Sequence, residues 1–207
     1  MNEPSTKTAV YIDGENTFFY LFDTLKKARL IRHRDELVKL DLYGLIKHYL
    51  PEEEDLNIRY YGAKLKEISD SGEDLLRRTQ KMIDHKRRWI GYLSNTNVDF
   101  VDAGELKIRR GYDVKRQEPE LIFIEKGVDI RLAVDLMEDA MQGQLETAVI
   151  ASSDSDLLPV VQALKRHGVR VIYVAFEANT NDAMAGSADK TITIANKQII
   201  EAFKRAN

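Results

Sequence analysis

The sequence predicts an α/β fold: a doubly wound, mainly parallel sheet with helices on both faces and a small β-hairpin insertion. Three observations predict it. Short runs of small and β-branched apolar residues recur along the chain, the pattern of strands buried on both faces. Most are followed by stretches with helical spacing, and a strand-then-helix order gives right-handed crossovers and a parallel sheet. The third is how the runs end: Thr8 to Asp13 stops on an aspartate, and the run from Thr147 stops at Ser152, Ser153, Asp154, Ser155 and Asp156. In open parallel sheets, ligands bind at the carboxyl ends of the strands, where such turns lie.

Taken in order, Thr8 to Asp13 is the first strand, and Asn16 falls in the first turn of a helix carried by Phe18, Phe19, Leu21, Phe22 and Leu25 that runs out near Arg29. Ile31 to Lys39 is too charged for a core and reads as a connection. Asp41 to Leu50 is a short amphipathic helix closed by Pro51. Leu56 to Leu65 supplies the β-branched and aromatic residues of a second strand. A long helix from about Gly72 to Ser94 sets Leu76, Met82, Ile83, Trp89, Ile90 and Leu93 on one side and Arg77, Lys81, His85 and Arg88 on another. The basic side is either a solvated face or a track for phosphates.

Val98 to Val101 makes a third strand ending at Asp102. Leu106 to Arg110 and Leu121 to Glu125, joined by a polar loop with Gly111 and Pro119, form the hairpin. Lys107, Arg109, Arg110, Lys115, Arg116 and Lys126 make it basic, so that it could hold a nucleic-acid backbone while nearby carboxylates hold a cation. Lys126, Gly127, Val128 and Asp129 open a helix with the apolar set Leu132, Ala133, Leu136, Met137 and Ala140. The strand from Thr147 leads to a helix from about Asp156 to Gly168, then a strand from Val169 to Ala175. A helix start at Asn179 to Asp182, a strand from Thr191 to Ile194 and a helix through Ile199, Ile200 and Phe203 complete the chain.

At 207 residues, with no Pro/Gly/Ser-rich linker, the chain reads as a single domain over residues 1–207. The absence of cysteine excludes disulfides, thiolate metal sites and a cysteine nucleophile. Four scattered histidines lack metal-ligand spacing. A net charge of -3, from 31 basic and 34 acidic residues, is not that of a strongly basic nucleic-acid domain, although a basic groove beside an acidic pocket can bind a polyanion whatever the sum. The polar opening and the lack of any long apolar run predict a cytoplasmic protein with no membrane partner.

Asp13, Asp129 and the pair Asp154 and Asp156 stand at element ends from three separate segments. If the strands are neighbours, these carboxylates converge, repel one another and call for a cation. A hard divalent ion such as Mg2+ suits oxygen ligands and keeps several waters, so some of the four act through water. Such a site performs phosphoryl chemistry without a covalent intermediate. Any one of these aspartates could instead simply cap a helix.

The blocks Val-Tyr-Ile-Asp-Gly-Glu-Asn at 10–16, Glu-Lys-Gly-Val-Asp-Ile-Arg-Leu-Ala-Val-Asp at 125–135 and Ala-Ser-Ser-Asp-Ser-Asp-Leu-Leu-Pro at 151–159 resemble, in order and spacing, the signatures of the NYN domain. More narrowly they resemble its LabA-like branch, within the PIN-like nuclease superfamily. The resemblance implies a ribonuclease dependent on Mg2+ or Mn2+. Asp13, Asp129 and Asp154 would be the central ligands, Asp156 a supporting acid and Asn16 a polar neighbour. Ser152 and Ser153, with Lys107, Arg109, Arg110 and Lys126, would meet the substrate, single-stranded RNA. Asp135 matches a recurrent family aspartate but falls on another helix face than Asp129, outside the site. Ser153 stands where many relatives carry glycine. An RNA-binding or assembly module with a slow or silent pocket is the alternative, and a homo-oligomer stays open. A haloacid-dehalogenase-like phosphatase would need a second aspartate where Glu15 stands, and dinucleotide binding would need more glycines than Gly14 alone.

Overall fold

In the computed structural model, residues 8–50, 52, 56–64, 73–113 and 117–207 are described. Alternation along the first strand, β1 (Thr8–Asp13), explains the layering. Val10 and Ile12 join one apolar cluster, whereas Ala9 and Tyr11 join the other, so the strand is covered on both faces. The first cluster is closed by α1 (Gly14–Lys27), α2 (Leu42–Tyr49), α3 (Glu73–Ser94) and α7 (Asn196–Arg205). The second lies beneath α4 (Val128–Met141), α5 (Leu158–Arg166) and α6 (Asp182–Ser187).

The remaining strands are β2 (Asn57–Lys64), β3 (Asp99–Asp113), β4 (Glu118–Lys126), β5 (Thr147–Ala151), β6 (Arg170–Phe176) and β7 (Lys190–Ile194). They form one sheet in the order β4-β3-β2-β1-β5-β6-β7. All neighbours are parallel except β3 and β4. The chain builds outward from β1 to β2, β3 and β4, then crosses through α4 to β5 on the other flank of β1. The strand order reverses between β1 and β5, and in doubly wound sheets the ligand crevice opens at that point. Among the described residues no helix is long and apolar enough to cross a membrane.

Two expectations are corrected. The charged stretch from Ile31 to Lys39 does contribute to the core: Ile31 and Leu37 are buried, followed by Leu40, around a 3-10 turn at Arg34–Lys39. Its charged residues point away at turn spacing while the apolar ones point in. The third strand does not end at Asp102. It bulges against β2 between Gly62 and Ala63 and continues as one 15-residue strand into the hairpin, which is an extension of the sheet edge. The supposed phosphate track on α3 is partly occupied by protein: Asp35 pairs with His85 and, at 2.6 Å, with Arg88. The side chains of Leu76 and Arg77 lie outside the described residues.

Packing of α4 on the sheet is polar as well as apolar. Tyr11 donates its hydroxyl to Asp139 at 2.5 Å, and Arg59 reaches the same oxygen at 2.6 Å. One turn earlier, Tyr61 donates to Asp135 at 3.1 Å, and Arg131 donates to its other oxygen at 2.6 Å. Burial first, then the adjacent aspartate, pushes both tyrosine hydroxyls well above their ordinary pKa, so both remain donors. Replacing Asp139 with alanine strands a buried hydroxyl and a half-buried guanidinium. Urea unfolding of Asp139→Ala is expected to show a loss of about 2–3 kcal/mol. Tyr11→Phe, which leaves Asp139 with Arg59, should lose only about 1 kcal/mol; equal losses would mean that the two partners are not linked through Asp139.

Candidate functional site

Three helical starts face the reversal point, and each brings an acid. Asp13 ends β1 and caps α1, its Oδ1 accepting the Asn16 backbone N–H at 3.3 Å. Asp129 stands in the first turn of α4, which Gly127 opens in the left-handed conformation (φ 89°). Asp154 caps the 3-10 turn Ser155–Leu157 ahead of α5, accepting from the Asp156 N–H at 2.8 Å. The positive ends of the helix dipoles favour negative charge here. Capping and convergence therefore coexist, because the same carboxylates do both.

The register of the sheet brings these segments together. Ile12 pairs with Ala151, so the next residues, Asp13 and Ser152, are opposite one another. Ser152 Oγ donates to Asp13 Oδ2 at 2.8 Å and accepts from the Asp154 N–H at 3.1 Å. The Asn16 carboxamide also donates to Asp13 Oδ2. Asp13 is only 4 % exposed and yet has three donors around it, which is what allows a carboxylate to be buried.

On the β2 side the approach is equally close. A Cβ on Gly14 would fall 2.3 Å from both the Tyr60 ring and the Tyr61 carbonyl oxygen, so only glycine fits there. Tyr60 uses the gap to donate its hydroxyl to the Gly14 carbonyl at 2.5 Å.

Asp129 carries the electrostatic signature of the cluster. Its carboxyl is raised above the ordinary value chiefly by burial, then by the charges of Asp13 and Asp154 and, most weakly, Asp156, against a lowering by its own backbone N–H. Asp129 thus lies in the field of Asp13, Asp154 and Asp156. Among the described residues, however, no three acidic or histidine side chains are gathered tightly enough to hold a metal ion together. Hard carboxylate oxygens under mutual repulsion fit a divalent cation in charge and chemistry. Mg2+ commonly takes one or two carboxylates directly and the rest through water.

The other predicted residues fall in three groups. Ser152 is buried with its hydroxyl committed to Asp13 and Asp154, so it positions acids and does not face a substrate. Ser153 is similarly engaged: its Oγ accepts from Asn179 at 2.5 Å and its carbonyl from Asn181 at 2.9 Å. Lys126 is exposed and three residues before Asp129, so the hairpin returns to the site. Lys107, Arg109 and Arg110 lie on β3, but their side chains, like the whole of Lys115 and Arg116, are outside the described residues. Asp135 is buried and bound by Tyr61 and Arg131 beneath the site.

Asn179 and Asn181 were not foreseen as site residues. The only hint in the sequence was the cap-forming pattern there, and Asn181 does cap α6 through the Ala183 and Met184 N–H groups. Together they fix the Ser152-Ser153 turn from the far side of β6.

Comparison with known proteins places this architecture. A crystal structure of a protein of unknown function from Vibrio parahaemolyticus superposes with a TM-score of 0.54 at 14% identity, covering 94% of this chain and 96% of that one; at that identity the likeness concerns the fold alone. An uncharacterized protein of Methanocaldococcus jannaschii is 31% identical over 67 residues, which is 32% of this chain and 28% of that protein. The match thus spans little more than a quarter of that relative's length. Residues 7–195 match the NYN domain, so the chain belongs to the NYN domain family, within the PIN-like nuclease superfamily.

Proposed function

We propose that the protein is a metal-dependent ribonuclease that hydrolyses phosphodiester bonds of single-stranded RNA at the acidic edge between β1 and β5. The observation that carries this reading is the Asp129 carboxyl, held above its ordinary value chiefly by burial and then by the negative charges of Asp13, Asp154 and Asp156. Asp13, Asp129 and Asp154 would hold Mg2+ or Mn2+, with Asp156 in support. Held there, such an ion would supply Lewis-acid polarisation of the phosphodiester and would acidify water at neutral pH. Asn16 and Ser152 orient Asp13 as they donate to it. Lys126 and the basic residues of the hairpin would steer and position the phosphate backbone. Membership of the family supports the same direction.

A second reading, a binding or assembly module with little or no turnover, is favoured by one observation: no three of the acids close on a common point. Purified protein incubated with a labelled single-stranded RNA and Mg2+ or Mn2+ decides between them. Cleavage that falls at least about a hundredfold in Asp154→Asn is expected. Equal cleavage by wild type and variant would remove the support for a nuclease. Binding of RNA without cleavage by either would favour the module.

The charge cluster also predicts a pH signature in metal-free protein. Because Asp129 is raised in the folded state, the native protein binds its proton more tightly than the unfolded chain does. Its contribution to stability is therefore full below the ordinary carboxylate value of 3.8 and is lost as pH rises through the raised value. Glu36 and Asp189, whose values are lowered, act in the opposite sense, so the comparison must be differential. The stability of wild type relative to Asp129→Asn should fall as pH rises from 3.8, in urea unfolding at low salt. Adding Mg2+ should abolish that fall; a difference independent of pH would disprove the repulsion.

A further inference from the structure

Beside the acidic edge, on the face covered by α1 and α3, lies a cavity of about 170 Å³. It begins at Gly14, the residue after Asp13, and runs between α3 and the residues Tyr60 and Gly62 of β2 and Phe100 and Leu106 of β3. Its volume is well below the roughly 300–1,000 Å³ of a pocket for a drug-sized ligand, which leaves room for one flat heterocycle. Four aromatic rings line it: Phe18, Tyr60, Trp89 and Phe100. They are mutually braced, Phe18 edge-on to Trp89 at 5.4 Å, Tyr60 at 66° to Trp89 at 5.9 Å, and Tyr60 beside Phe100 at 6.4 Å.

The cavity's charge is complementary to a polyanion. Arg34 and Lys86 line it against the single acid Glu15, while His85, also in the lining, is paired with Asp35 and held toward its neutral form chiefly by burial. Lys86 is held in place by the Ala63 carbonyl at 2.8 Å, and the exposed Arg34 guanidinium lies 5.9 Å from the centre of the Phe18 ring. One wall also carries an unanswered donor. Trp89 is 5 % exposed, and its indole N–H has no hydrogen-bond acceptor among the described residues, although a buried donor normally finds one. Aromatic faces with cations at the mouth are how proteins hold an unpaired base while the strand's phosphates run past.

We propose that this cavity seats one unpaired base of an RNA strand whose backbone passes the acidic edge at Asp13. The inference rests on the nuclease reading for the placement of the backbone and names what that site would recognise beside it. One-residue adjacency between Asp13 and Gly14 is what couples the two: a strand whose phosphate reached the acids would bring a neighbouring base to the mouth of the cavity.

Trp89 is the chain's single tryptophan, so its emission reports the cavity directly. Asp154→Asn protein, in which the nuclease reading expects turnover lowered at least about a hundredfold, is titrated with a short single-stranded RNA and with an abasic ribose-phosphate strand of equal length. Saturable quenching by the RNA, and affinity about tenfold above that of the abasic strand, are expected. In Phe18→Leu and Phe100→Leu, each made on the Asp154→Asn background to keep apolar packing while removing a π face, that preference should shrink several-fold with abasic binding unchanged. Equal affinity of the two strands with Trp89 emission unchanged overturns the proposal. Quenching by a mononucleotide as tight as by the strand overturns the strand assignment. The two readings fail separately: cleavage sensitive to Asp154→Asn without base preference leaves the nuclease and removes the cavity, and base-dependent quenching without wild-type cleavage does the reverse.

Discussion

The geometry of the acidic edge depends on keeping one carboxylate, that of Asp13, almost wholly out of water. A buried acid without donors would take up a proton and lose its charge. Here the donors come from its own helix, through the Asn16 backbone and carboxamide, and from the neighbouring strand, through Ser152. Ser152 is also the link onward, because the oxygen that donates to Asp13 receives the Asp154 N–H. Two acids 141 residues apart in sequence are thereby joined through one hydroxyl. The third, Asp129, is brought by α4, and α4 is seated by Tyr11 and Tyr61 from the strands it covers. The tyrosine hydroxyls act as donors beneath the site for the same reason that Asp13 can be an acceptor within it: each buried polar atom has found a partner.

Much of this was legible in the chain. The first strand, its terminal aspartate and the strand from Thr147 to Ala151 were readable because a strand buried on both faces has an almost continuous apolar run and an abrupt polar end. That Asp129 lies near Asp13 and Asp154 follows from their places at element ends, two just after strands and one in a helix's first turn, once β1 and β5 are neighbours. Ser152 shows where such reading stops. A serine in a turn beside two aspartates suggests a surface group, and only the pairing register of β1 with β5 reveals that its hydroxyl faces inward.

Other misses share that cause. His85 and Arg88 lie on a basic face of α3, but the acid that pairs with them, Asp35, comes from a segment about fifty residues earlier that was itself read as solvent-exposed connection. The same segment hides Ile31 and Leu37 among charges, since a single turn with 3-10 spacing is too short to show a periodicity. The fusion of two β-like runs into the long β3 was obscured by Gly104, which interrupts the pattern because β3 passes so close to the Lys126 carbonyl that a Cβ there would fall at 2.4 Å. Each is a non-local contact written as a locally odd residue.

The acids and the aromatic cavity occupy opposite flanks of the residues that open α1, and this explains a tension in the site. A cluster of four carboxylates with one raised above its ordinary value opposes folding at neutral pH in the absence of a counter-ion. Repacking Asp129 as a neutral residue would remove that opposition without disturbing a hydrogen bond that any other described side chain needs. An electrostatic cost of this kind is one that a bound cation would offset, as the proposed function requires. The cavity carries a cost in apolar form, since aromatic rings and an unmatched indole N–H line empty space where closer packing would be more stable. Both departures from the best-packed structure meet at Asp13 and Gly14, and a strand carrying phosphates on one side and bases on the other would satisfy both at once.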